Sequence, residues 1–270
     1  MSLAEGQRNH IDETIKQCIK SKLEKYKPET KHMPFHDRLL GRDRMAVFSF
    51  IHSLNTSFGM SIFEPIAEAL ALLNFPVARK QFEVGNSIST EAQAEIQDII
   101  NRLSAGDDPD KTGEIERIRK VCQRGHMTRL KPVKADLYLK DQGGAMYLFD
   151  LKTAKPNKGN FKEFKRTMLE WAAIVLARNP RAEVNTIIAI PYNPYEPKPY
   201  ERWTAKGMLD LHHELKVANE FWDFLYGSQV YEDLLACFER AGIELKAEID
   251  EYFGRFSNRT EENRVTVNAK

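Results

Sequence analysis

A chain of 270 residues, 42% of them hydrophobic and 29% charged, is long enough to bury one large core or two small ones. Its formal net charge of +1 confines any polyanion-binding surface to a local basic patch. The longest apolar stretches, such as Ala69 to Leu73 and Ala172 to Ala177, fall far short of the roughly 20 residues that span a bilayer.

Residues Met1 to Asn9 lack an apolar signal core, and Cys18, Cys122 and Cys237 share no CxxC spacing, so a reducing cytoplasm is the expected compartment. Ile11, Ile15, Ile19 and Leu23 recur at helical intervals over residues 4–26, and Pro28 ends the run. A second helix is expected over 43–58, with Gly59 as its stop and Ser61 capping a third through about Leu73. Residues 75–84 read as a strand. Residues 89–103 read as a helix capped by Ser89 or Thr90, and 114–123 as a short helix leading into the basic segment Arg124 to Lys134.

Two strands follow, at 134–140 and 145–153, separated by Asp141-Gln142-Gly143-Gly144, which is hairpin punctuation. Residues 161–177 form a strong helical pattern closed by Asn179-Pro180, and 184–191 is a β-branched run of the kind found in a buried strand. A proline- and aromatic-rich loop spans 192–203, and 209–256 reads as mainly helical. No repeat or long linker interrupts the chain. The expectation is one α/β domain, a mixed sheet flanked by helices, with its core at about 60–205 and helical additions at 1–59 and 206–270.

The hairpin carries the chemistry. If it closes through the three-residue loop Gln142 to Gly144, opposed residues have numbers summing to 286, and Asp136 faces Asp150 across about 5 Å. Side chains alternate along a strand, so Lys152 shares the face of Asp150, while Ala135, Leu137, Leu139, Tyr147, Phe149 and Leu151 make an apolar opposite face. That arrangement leaves the charged trio at an exposed outer edge. A two-residue loop would shift the register by one and put Asp136 opposite Leu151.

Two adjacent carboxylates repel unless a cation lies between them, and hard oxygen ligands suit Mg²⁺. A metal held there polarises a phosphoryl oxygen and acidifies bound water, and an adjacent ammonium orients that water or stabilises developing charge. This is equipment for phosphodiester hydrolysis. The same pattern also arises from a surface cross-strand ion pair. The basic turn Thr153 to Asn160 and the helix after it favour the first reading, because such a turn holds phosphates through side chains and free backbone N–H groups. Lys155, Asn157, Lys158, Lys162, Lys165 and Arg166 are the candidate DNA contacts there, joined by Lys198 and Arg202 of the 192–203 loop. His212-His213 has no partner at metal-ligand spacing, and Trp171 and Trp222 sit among helical apolar residues and read as core.

Ala135-Asp136 with Asp150-Leu151-Lys152 resembles the PD-(D/E)XK nuclease superfamily, with Ala135 in place of the proline. Residues 50–65 and 149–161 resemble type II restriction endonucleases of the TdeIII kind. The resemblance implies a restriction-endonuclease-like fold and a Mg²⁺ bound by Asp136, Asp150 and the Leu151 carbonyl. It further implies Lys152 beside the attacking water and an additional glutamate, for which Glu64 is the candidate and Glu68, one helical turn later, the alternative. It also implies a short GC-rich palindrome of the GGNCC type and a companion methyltransferase; a homodimer follows if the site is palindromic. Two other readings stay open: a repair or recombination nuclease with the same hairpin, and a non-catalytic DNA-binding protein.

Overall fold

The computed structural model describes residues 3–27, 34–152, 156, 158–201 and 205–255. In chain order the helices and strands are α1 (Glu5–Lys25), α2 (Pro34–Leu40), α3 (Arg42–Phe58), α4 (Glu64–Ala71), β1 (Val77–Ser89), α5 (Thr90–Ala105), α6 (Lys111–Val121), β2 (Met127–Lys140) and β3 (Met146–Leu151). They continue with α7 (Phe161–Arg178), β4 (Val184–Ile190), β5 (Leu215–Val217), α8 (Asn219–Tyr226) and α9 (Tyr231–Glu244). These elements group into two compact units, one of Ala67–Tyr231 and one of the residues on either side of that span. Among the described residues no helix is long and apolar enough to cross a membrane.

The flanking unit is helical. Ile11, Ile15 and Leu23 bury one stripe of α1, and the Asp12 carboxylate accepts two hydrogen bonds from the Arg240 guanidinium, at 3.0 and 3.1 Å, which ties α1 to α9. Leu23, Phe50 and Tyr252 form a small core edged by Tyr26 and Phe253. The expected stop at Gly59 does not occur. α3 runs on through a π-helical turn, Gly59–Phe63, into α4. A glycine ends a helix only where the chain turns away through the left-handed region, and a π turn instead absorbs extra residues while keeping the helix direction.

The central unit is a five-stranded mixed sheet in the order β1-β2-β3-β4-β5. β1, β2 and β3 pair antiparallel, and β3, β4 and β5 pair parallel. The α/β architecture therefore matches the order of elements in the sequence. The hairpin pairs Leu137 with Phe149 and Lys140 with Met146, the register in which opposed numbers sum to 286. Gln142 to Gly144 form the loop, closed by Asp141 N–H to Ala145 O at 3.0 Å, with Gly144 at φ +92°.

β2 starts earlier than expected because Met127 to Arg129 pair with Ser87 to Ser89. Pro132 is tolerated inside this strand because it lies in a register shift, between the pairs Gly85–Val133 and Ser87–Arg129. Gly85 sits at φ +142° where α7 crosses β1, and a Cβ there would fall on the Arg178 guanidinium and crowd Ile174. β5 was not expected, since three residues show no readable alternation. It forms because β4 still has an open edge, where Ile188 N–H donates to Glu214 O at 2.9 Å.

Parallel strands need a crossover, and the one from β3 to β4 is α7. α7 packs on β1 and β4, with α5 and α6 against it. On the other face Phe221 and Phe224 of α8 meet the rings of Phe149 and Tyr147. Both faces of β3 are thus covered, which corrects the expectation of an exposed outer edge for Asp150, only 8% exposed, while Asp136 and Lys152 stay partly exposed.

Candidate active site

Asp136 comes from the middle of β2, Asp150 from the end of β3, and Lys152 from the first residue beyond it. The hairpin register brings the two carboxylates side by side. Asp136 Oδ2 accepts the Leu151 N–H at 2.7 Å, and the Lys152 Nζ lies 2.6 Å from Asp150 Oδ1. The same ammonium stands 4.6 Å from the centre of the Phe164 ring, which α7 delivers from its first turn. Phe164 therefore helps to aim Lys152, as a cation held over an aromatic face. Sequence reading missed this role, because Phe164 looks like any apolar position of an amphipathic helix.

Burial pushes the Asp150 carboxyl up from 3.8 to about 6; Lys152 opposes this rise and the neighbouring Asp136 carboxylate reinforces it. One ammonium is present for two carboxylates. The group is short of positive charge whenever both are ionised, and all its acidic donors are hard oxygens, so the residues fit a divalent cation such as Mg²⁺. Among the described residues no three His, Cys, Asp or Glu side chains form a cluster that could hold a metal. What the central unit offers is therefore the carboxylate pair and main-chain oxygens.

On the sheet edge, Gln81 of β1 is at φ +50° and its Nε2 lies 3.5 Å from Asp136 Oδ1. No sequence signal marks this residue, because the pairing of β1 with β2 has to be known first. Glu68 in α4 accepts the Lys80 N–H at 2.9 Å, and its other oxygen lies 3.6 Å from Lys80 Nζ. Glu64 opens α4, is 1% exposed and belongs to the flanking unit.

The candidate DNA contacts divide. Lys155, Asn157 and Arg202, and the side chain of Lys158, lie outside the described residues. Lys162 is partly buried in the first turn of α7, and Arg166 donates to Gln97 Oε1 at 2.9 Å. Lys198 is exposed in a loop folded on itself by Asn193 Nδ2 to Lys198 O at 2.7 Å. Lys165 is corrected: it is 0% exposed, lies 2.6 Å from Glu214 Oε2 and pairs with Glu114. An amphipathic helix with four basic residues among its eighteen does not disclose which lysine faces inward. Here burial of Glu114 and Glu214 requires a cation, and Lys111 and Lys165 supply the two. His212 and His213 are exposed, and Trp171 and Trp222 are core, as read from the sequence.

A family model described as "Type II restriction endonuclease, HinfI" matches residues 3–242. The chain is 27% identical over 221 residues to the type II restriction enzyme HgiCII of Herpetosiphon aurantiacus, covering 80% of each. HgiEI of the same organism shares 27% over 221 residues, 80% of this chain and 79% of that enzyme. The type II restriction enzyme MjaII of Methanocaldococcus jannaschii shares 26% over 247 residues, 80% of this chain and 65% of that enzyme. The matched description is the HinfI one; none of these comparisons names the TdeIII kind.

Proposed function

We propose that this chain, which belongs to the HinfI family of type II restriction endonucleases, cuts both strands of a specific short duplex DNA site in a Mg²⁺-dependent reaction centred on Asp136, Asp150 and Lys152. The observation that carries the reading is the convergence of these three groups at one hairpin register, with Lys152 paired to a buried carboxylate. A cross-strand ion pair that only decorates a surface has no need of a second carboxylate beside a buried one.

In this reading Asp136, Asp150 and the Leu151 carbonyl hold the metal. The metal, when bound, supplies Lewis-acid polarisation of a phosphoryl oxygen and acidifies a water molecule. The protein's own groups do the rest. The Leu151 N–H fixes one oxygen of Asp136 so that the carboxylate keeps its plane. Lys152, held by Asp150 and Phe164, would donate a hydrogen bond to the attacking water and then to the phosphorane oxygens on which negative charge develops. Burial of Asp150 lowers the local dielectric and strengthens each of these interactions.

Glu68 serves in this reading as the partner of Lys80 on β1 rather than as a third acidic ligand, since among the described residues no third acidic side chain clusters with Asp136 and Asp150. Lys155, Asn157, Lys158, Lys162, Arg166, Lys198 and Arg202 are assigned to the DNA backbone. A palindromic site, of the GGNCC type, is served by a homodimer in which each chain brings one carboxylate pair to one strand, and a companion methyltransferase protects the host's own copies. Digestion of unmethylated plasmid in Mg²⁺ tests the reading. Discrete fragments are expected, absent with Asp136→Ala. Cleavage only at nicks, ends or junctions would identify a repair or recombination nuclease, and intact DNA at all Mg²⁺ concentrations would leave a DNA-binding protein.

A further inference from the structure

β1 and β2 pair on both sides of one position: Lys80 with Leu137 and Phe82 with Ala135. That numbering puts Gln81 directly across from Asp136, and Gln81 alone of the two takes a left-handed backbone, φ +50°. A glutamine at positive φ is uncommon and costs on the order of 1 kcal/mol. Such a conformation persists only if its surroundings impose it.

Both neighbours are held. Glu68 binds the Lys80 N–H and faces its ammonium, and the Phe82 ring stacks on Tyr138 with centroids 4.2 Å apart. Between these two clamps Gln81 keeps its place in the register while its backbone takes a positive φ, and its carboxamide Nε2 lies 3.5 Å from Asp136 Oδ1. The other Asp136 oxygen is already taken by the Leu151 N–H. We propose that Gln81 is a positioning residue, held at positive φ so that its carboxamide and the Leu151 N–H together set the plane of the Asp136 carboxylate for the metal.

This inference rests on the reading of Asp136 as a metal ligand, so its test separates the two. Gln81→Gly removes the carboxamide and relieves the backbone, since glycine accepts positive φ freely. Three quantities are measured on the full chain: Ca²⁺ affinity by calorimetry, melting temperature in EDTA, and the Mg²⁺ dependence of plasmid cleavage. Asp136→Ala is run in parallel.

The expected result is a melting temperature equal to or above that of the wild type, Ca²⁺ bound about tenfold more weakly, and half-maximal cleavage displaced to correspondingly higher Mg²⁺, the scale of one lost hydrogen bond to a charged group. A purely structural role for Gln81 predicts the opposite pairing. Unchanged Ca²⁺ affinity, or a fall in melting temperature that accounts for the lost activity, overturns the inference. If Asp136→Ala binds Ca²⁺ as the wild type does, the metal reading itself has failed. If Asp136→Ala loses Ca²⁺ while Gln81→Gly keeps it, only the role of Gln81 has.

Discussion

Asp150 titrates near 6 in the folded chain against 3.8 for an ordinary aspartate, chiefly because it is buried. A folded state that holds a proton more tightly than the unfolded chain is favoured where that proton stays on. In the metal-free protein this contribution is complete below about pH 4 and is lost as pH rises through about 6. Asp150→Asn should therefore melt several degrees higher than the wild type in EDTA at pH 8, with the gap closing as pH falls below 4, while cleavage disappears. A variant that melts lower at pH 8 would show that the ionised carboxylate stabilises the fold. Lys152 makes a separate prediction, because it acts on the water and on developing charge. Lys152→Ala should bind specific DNA in Ca²⁺ nearly as well as the wild type and turn over about 100-fold more slowly. Equal losses in affinity and rate would make it a phosphate anchor instead.

At the scale of elements, α7 is the crossover between the parallel strands β3 and β4 and also brings Phe164 against Lys152. Its inner face holds Lys165 between Glu114 and Glu214, while Lys111 bonds Glu214 at 3.1 Å and Thr186. Removing Lys165 leaves buried carboxylates short of a cation, which costs about 3–5 kcal/mol. Lys165→Ala should thus lower the melting temperature sharply or prevent soluble expression, whereas a DNA contact would change only the salt dependence of binding. α4 yields a finer test. If Glu68 acts as the clamp on the Lys80 N–H, Glu68→Gln keeps an accepting oxygen and most of the activity, and Glu68→Ala loses it. If Glu68 is a metal ligand, both substitutions abolish cleavage, so the glutamine variant decides.

For the whole molecule, a net charge of +1 means that DNA attraction depends on a few placed cations rather than on overall charge. Lys198→Ala and Lys162→Ala should each lower the slope of log K against log salt by about 0.9 if the side chain meets a phosphate. They should leave sequence preference intact, and an unchanged slope removes that residue from the interface. The α/β class, the hairpin and its register were legible in the sequence because they depend on local rules: alternation of side chains, a glycine-bearing loop and two turn-bounded apolar runs. The Asp136, Asp150 and Lys152 candidate followed from that register together with the basic turn and helix after it. Tertiary structure decided what the local pattern does not contain. Packing on β3 buried Asp150, which looked exposed, buried carboxylates drew Lys165 away from solvent, and the remaining edge of β4 made a strand of residues 215–217. The left-handed backbone of Gln81 and its place across from Asp136 appeared only once β1 was laid against β2. Each of these depends on a partner distant in sequence, and pairing between distant segments is set by the packing of the whole sheet rather than by any one stretch of chain.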